Sequence, residues 1–148
     1  MIQAGEAVCS LEIRLFGPFD VQVGGQPLAR LPSRKGRHLL ALLALRHDRA
    51  VERAWLAGTL WPESRESRAL WNLRQCLFHL RRALGIEAHR LLSPTPHTLC
   101  LGLTDAFCDV IAFDAAIAEG RRESEKGKKE AEGESDLLPF AFCLSKRP

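Results

Sequence analysis

Residues 68–85, RALWNLRQCLFHLRRALG, hold four arginines together with amides and a histidine, and no acidic residue. At 100° per residue the leucines of this stretch share one arc, and a polar stripe lies opposite them. Arginine, asparagine and glutamine have the fork or amide geometry that matches guanine and adenine edges in the major groove. The pattern predicts a helix with a core face and a DNA-reading face; the solvated face of an ordinary amphipathic helix is the alternative. The stripe consists of Arg68, Asn72, Gln75, His79 and Arg82.

Four further side chains lie beside these two faces. Arg74 and Arg81 fall at the edge of the apolar arc, where their stems can pack inward while their charged heads reach solvent. Trp71 and Phe78, seven residues apart, are predicted to fill a flank between the core face and the polar face.

Positive charge is concentrated in the middle of the chain, although the net charge is only +3. Residues 30–90 hold 13 arginines and lysines against five acidic residues, which is the electrostatic footprint of a phosphate-binding domain. Arg34, Lys35 and Arg37 fall in the first turn of a predicted helix, where they oppose the helix dipole. We expect them to face phosphates; surface arginines without a role are the alternative.

The elements that must position these residues follow from the hydrophobic periodicity. Alternation from Leu11 to Leu15 and from Phe19 to Val23 predicts two half-buried strands, and Gly24-Gly25 predicts a hairpin into a third strand near residues 26–31. The N-terminus is therefore expected to be a small antiparallel meander.

Three helices are expected next. Ser33 is a candidate N-cap for a central buried helix that runs to about Arg46. A short second helix covers residues 53–60, with Trp55, Leu56 and Leu60 inward, and Pro62 ends it. The third helix contains the basic stretch at residues 68–85, and Ser64 is its candidate N-cap. The carboxylate of Glu66 suits the positive N-terminal end of this helix. The second and third helices form a helix-turn-helix, in which the second member is presented to the groove.

After Gly85, the segment RLLSPTPHTLCLGL predicts a strand, a tight turn and a strand. A hairpin directly after a basic helix is a wing. The predicted fold class is α+β: a winged helix-turn-helix with an N-terminal antiparallel meander, three helices and a C-terminal β-hairpin.

Five segments in this order resemble the AfsR/SARP-type bacterial transcriptional activators. They are LEIRLFGPFDVQVGGQPL, SRKGRHLLALLAL, LAGTLWP, NLRQCLFHLRRALG and DVIAFDAAIAEG, and the likeness runs from about Val8 to Gly120. The resemblance implies a winged helix of the OmpR/PhoB class at residues 8–104, followed at 105–120 by the start of an all-helical bacterial transcriptional activator domain.

The resemblance also implies site residues and partners. The helix at 67–84 is expected in the major groove of promoter repeats, with Asn72, Gln75 and His79 near bases, and Arg74, Arg81 and Arg82 on phosphates or base edges. Double-stranded DNA, RNA polymerase and a second copy side by side on DNA are the implied partners. No receiver-domain sequence precedes the winged helix, so control by an attached receiver is not expected.

Two features depart from the family pattern. The hairpin reads PTPHTLCLG, without the Gly-Tyr pair that many such wings carry, so wing contacts from Thr95, His97 and Thr98 rest on position alone. The likeness also ends at Gly120. Residues 121–148 begin with a mixed-charge run that predicts a solvated helix or a disordered linker, and the apolar remainder is too short for a domain. We interpret the chain as a truncated or frame-disrupted relative.

The composition and motifs disfavour other function classes. Five scattered cysteines without a C-x-x-C pair favour neither a disulfide scaffold nor a zinc site, and no metal or cofactor is expected. No nucleophile, base and acid cluster by motif, so an enzyme is not expected. No apolar run is long enough to span a bilayer, which predicts a cytoplasmic, nucleoid-associated protein. The alternative function is a winged-helix protein-interaction module that does not read DNA.

Overall fold

The computed structural model describes residues 10–28, 31 and 33–135. Across these residues the fold is mixed α+β, with four α-helices and two sheets. The chain divides into two compact units, with the boundary after Val110. No helix in the described part is long and apolar enough to cross a membrane.

The first sheet contains the expected meander. Strands β1 (Leu11–Arg14) and β2 (Asp20–Val23) pair antiparallel, and β2 continues into β3 (Gln26–Pro27). The turn residues Gly24 and Gly25 both have positive φ, of 58° and 77°, as a two-residue hairpin turn of this hand requires. The predicted third strand was longer; it ends at Pro27, and residues 29 and 30 lie outside the described part.

A fourth strand of this sheet was not predicted. Strand β7 (Phe107–Cys108) runs parallel to β1, with Ile13 opposite Cys108. The carboxylate of Asp109, directly after β7, accepts hydrogen bonds from the amides of Leu15 (2.8 Å) and Phe16 (2.8 Å). Burial opposes ionisation of this carboxyl, but the amide donors outweigh it and lower its pKa. The contact fixes the end of β1 to the chain segment that follows β7.

The first two helices begin where the sequence predicts. Helix α1 (Arg34–Leu45) is capped by Ser33, whose hydroxyl accepts from the amide of Gly36 at 3.2 Å. Helix α2 (Arg53–Leu60) buries Leu56, Ala57 and Leu60. The inward placement of Trp55 is wrong: its indole is 40% exposed, because it lies about 100° around the helix from Leu56.

Helix α3 (Glu66–Leu84) starts one residue before the predicted start at 67, with Glu66 in its first turn as expected. Its N-cap residue is Arg65, without a side-chain capping bond, so the prediction of Ser64 as cap is wrong. Ser64 lies in the preceding turn, where its amide donates to the carbonyl of Trp61 at 3.1 Å. The helix ends at Gly85, whose φ of 57° favours glycine.

The second sheet contains the predicted hairpin, β5 (Leu91–Leu92) and β6 (Thr98–Leu101), in antiparallel register. Its other edge is formed by β4 (Val51–Glu52), which pairs with β6 immediately before α2 begins. Sequence reasoning missed β4. Through it, the start of α2 is hydrogen-bonded to the hairpin.

The core of the first unit is formed by leucines from α1, α2, α3 and both sheets. They include Leu11, Leu39, Leu56, Leu77 and Leu99, each at most 2% exposed. The thiols of Cys76 and Cys100 are also buried there. Burial raises the pKa of the Cys76 thiol.

Helix α4 (Asp109–Ser135) follows β7. Its side chains from residue 112 to 129 are all exposed, which agrees with the solvated-helix alternative for residues 121–129 of the charged run. Residues 136–148 lie outside the described part. The division into domains at 8–104, 105–120 and 121–148 remains a prediction.

A buried ion pair after α3 ties three parts of the first unit together. In the 3₁₀ helix Gly85–Arg90, Nε of Arg90 lies 2.5 Å from Oε2 of Glu87, whose side chain is 4% exposed. The same guanidinium donates to the carbonyl of Thr104 and, at 3.1 Å, to the hydroxyl of Ser10. The hydrogen bond from Arg90 lowers the pKa of the Glu87 carboxyl.

We expect Glu87→Ala to destabilise the first unit by about 3–5 kcal/mol, because it leaves the Arg90 guanidinium buried without its carboxylate. Urea denaturation measures the loss, with the exposed Glu63→Ala as control. Since the folded-state pKa is lowered, the pair's contribution is complete above the ordinary value of 4.5 and is lost as pH falls through the folded value. Equal stability of the two variants at neutral pH would contradict this role.

Candidate nucleic-acid interface

The orientation of α3 determines which side chains are available for a ligand. Its buried face consists of Ala69, Leu73, Cys76, Leu77, Leu80 and Leu84. Because small residues are buried beside the leucines, the buried face is rotated relative to an arc drawn through the leucines alone. The outward face is rotated with it.

This rotation corrects the predicted flank. Trp71 is 46% exposed and Phe78 is 54% exposed, and both lie at the centre of the outward face and not on a flank between two faces. Asn72, predicted opposite the core, is half-buried. The remaining predicted residues of this helix are exposed: Arg68, Arg74, Gln75, His79, Arg81 and Arg82.

Two arginines of the outward face lie over aromatic rings. The guanidinium of Arg68 lies 4.6 Å from the ring centroid of Trp71, and that of Arg82 lies 5.8 Å from the ring centroid of Phe78. Stacking of this kind restricts a flexible side chain without neutralising its charge. The face therefore presents positive charge that no acidic side chain of α3 after Glu66 offsets.

Three of the predicted base-reading residues come together in one shallow groove. Asn72, Gln75 and His79 line a depression of about 300 Å³ between α3 and the first turn of α1. Amides and an imidazole there offer both donors and acceptors at a single surface. Ser33, Lys35, Trp61 and Cys76 complete the lining.

The three first-turn cations of α1 separate into two groups. Arg34 and Arg37 are exposed and line a different hollow, beside Phe19. Lys35 instead donates through Nζ to the carbonyl of Leu60 at the end of α2, and its ammonium lies 6.0 Å from the Trp61 ring centroid. The ammonium therefore satisfies a terminal helix carbonyl, a structural role that its position in the sequence did not predict.

The hairpin tip shares a cleft with α3. His97 and Thr98 line a space of about 700 Å³ together with Arg74 and Arg53. The hydroxyls of Thr95 and Thr98 lie 2.7 Å apart and bond to each other within the tip. The two threonines are therefore engaged in forming the turn, whereas the His97 side chain is exposed.

Arg53, which sequence reasoning did not select, belongs to this cleft. Its Nη2 donates to the Ser93 hydroxyl at 2.9 Å, and within the described part its Nε is buried without a hydrogen-bond partner. Burial, followed by the charges of Arg81 and Arg74, lowers the pKa of its guanidinium. Arg53 is one of the cations of the basic block at residues 30–90, so its charge was evident from the sequence. Its location at the hairpin depends on the pairing of β4 with β6.

We expect Lys35→Met to lower the free energy of unfolding by about 1–2 kcal/mol, because a charged donor is removed from the carbonyl at the end of α2. Urea denaturation monitored by circular dichroism measures this change. Arg34→Met, one residue away and exposed, is the matched control and should change the stability by less than about 0.5 kcal/mol. Equal effects of the two substitutions would exclude the capping role.

Comparison with known proteins identifies relatives of the chain, although no family model matches it. It is 29% identical over 123 residues to the transcriptional regulatory protein MoaR1 of Mycobacterium bovis BCG and of Mycobacterium tuberculosis, a match that covers 80% of this chain and 39% of MoaR1. Among solved structures it is similar to Mycobacterium tuberculosis EmbR, determined in complex with a low affinity phosphopeptide.

The EmbR match has 28% identity and a TM-score of 0.57, and it covers 68% of this chain and 27% of the EmbR chain. The chain thus spans about two fifths of MoaR1 and about a quarter of EmbR. The sequence comparison identifies MoaR1 and the structure comparison identifies EmbR. The resemblance to the AfsR/SARP-type regulators is confirmed: the chain is a distant homologue of the transcriptional regulatory protein MoaR1 and of EmbR.

Proposed function

We propose that this chain is a DNA-binding transcriptional regulator whose first unit is a winged helix-turn-helix. In this proposal α2 and α3 form the helix-turn-helix, α3 enters the major groove, and the hairpin of β5 and β6 is the wing. The observation that carries the proposal is the outward face of α3, where exposed arginines and the exposed amide of Gln75 occur without a compensating acid. The relationship to the regulator MoaR1 supports it.

The proposal assigns different work to the two kinds of polar side chain. Arg34, Arg37, Arg74, Arg81 and Arg82 contact phosphates, which contributes affinity through counterion release. Gln75, Asn72 and His79, gathered in one groove, contact base edges and provide the sequence preference, together with Arg68. His97 and the threonines Thr95 and Thr98 contact the backbone from the wing. Lys35 adds charge near the groove but is held by Leu60.

The wider assignments follow from the family resemblance alone. They are activation of transcription at promoter repeats, contact with RNA polymerase, and a side-by-side dimer on DNA. Residues 8–104 form the DNA-binding domain in this proposal, and residues 105–120 begin the helical activator domain.

The first test is fluorescence anisotropy of the purified chain with the duplex upstream of its own coding region and with a scrambled duplex, across a salt titration. We expect tighter binding to the native duplex, with log affinity falling by about 0.9 per phosphate neutralised for each decade of salt. Binding to neither duplex would contradict the proposal and favour the protein-interaction module.

Substitutions should separate the two roles. We expect Gln75→Ala to lose about 1–3 kcal/mol on the native duplex and little on the scrambled one, since it removes a base contact. Arg34→Ala should weaken both duplexes alike and make the salt dependence less steep by about one phosphate. If both variants lost the same affinity on both duplexes, the division between base and phosphate contacts would be wrong.

A further inference from the structure

Two large aromatic rings lie at the centre of the face that the proposed function directs at DNA. Trp71 and Phe78 are 46% and 54% exposed, although rings of this size contribute most of their interaction energy when they are buried. They are two helical turns apart on one line of α3. Single exposed apolar residues need no explanation, but two aligned rings on a binding face predict an apolar counterpart on the ligand.

The charges around the rings limit what that ligand is. Arg68 stacks on Trp71, Arg82 lies within cation-π range of Phe78, and no acidic residue occurs between Glu66 and Glu87. The partner must therefore be anionic and must also offer small apolar groups within reach of the rings. In the major groove of DNA that apolar group is the C5-methyl of thymine.

We propose that Trp71 and Phe78 read thymine methyl groups in the major groove. This inference rests on the proposed function and adds specificity residues that the polar stripe did not include. Seven residues of helix rise correspond to about 10 Å, and base pairs rise by about 3.4 Å along the duplex axis. The rings are therefore about three base-pair steps apart if α3 is parallel to that axis, and about two if it is inclined along the groove. The geometry thus assigns two thymine contacts about two or three base pairs apart.

The arginines next to the two rings add contacts to the nucleotides beside the thymines. Because the guanidinium of Arg68 lies 4.6 Å from the ring centroid of Trp71, its donors stay next to the ring. A guanidinium fork in that position donates to the guanine or the phosphate beside the contacted thymine. Each pair therefore recognises a methyl group with the ring and a neighbouring acceptor with the arginine.

The test replaces single thymines by deoxyuridine, which removes only the C5-methyl, in the duplex that the full chain selects from a random library. Anisotropy with the unmodified chain should show about fourfold weaker binding at each of two thymines about two or three base pairs apart, and no change elsewhere. Trp71→Ala should lose a similar factor and become insensitive to uracil at one of these positions, and Phe78→Ala at the other.

Ile86→Ala is the matched control, because Ile86 is an 81% exposed apolar side chain beyond the end of α3. It should bind every duplex as the unmodified chain does. Specific binding that no uracil substitution weakens, or aromatic variants that keep their uracil sensitivity, would overturn this inference and leave the proposed function standing. Selection of no duplex would overturn the proposed function as well.

Discussion

The first unit is built around one requirement, which is that α3 buries one face completely while the opposite face stays in water. Buried positions at spacings of three and four residues allow the helix only one rotation about its axis. Each buried leucine contributes about 1.5–3 kcal/mol relative to exposure, so turning the helix to bury the arginines is strongly unfavourable. The buried face therefore determines which residues of α3 are exposed, and the packing that stabilises the fold also selects the residues of the proposed interface.

A concentration of like charge on a small domain has an electrostatic cost that local contacts offset. Arg46 and Arg68 stack on the indoles of Trp55 and Trp71, at 4.3 and 4.6 Å from the ring centroids, and Lys35 bonds the end of α2. None of these contacts removes positive charge, unlike an ion pair with a carboxylate. The ion pair of Glu87 and Arg90 lies beyond α3 instead, where neutralisation leaves the outward face unaffected.

The sequence predicted the helices, which have a clear hydrophobic period, and missed two short strands, which have none. The twelve residues of α1 and the nineteen of α3 have a hydrophobic period, so their positions were predictable to within a residue at most boundaries. The two-residue strands β4 and β7 have none, because pairing with distant partners creates them. The rotation of α3 was misjudged because an arc of leucines ignores Ala69 and Cys76, which are small enough to be buried without appearing in an apolar stripe.

The candidate site was predictable in residue type but not in arrangement. The basic block identified cations near α2 and α3, yet it did not distinguish Lys35, held by Leu60, from Arg53, held at the hairpin. That distinction depends on β4, because its pairing with β6 places the amide of Arg53 2.8 Å from the carbonyl of His97. In the proposed complex, the distance between α3 and the hairpin tip decides which phosphates of a duplex the two elements contact together. The two-residue strand β4 therefore sets the spacing between α3 and the hairpin tip, whereas the positive charges of this surface were evident from the sequence.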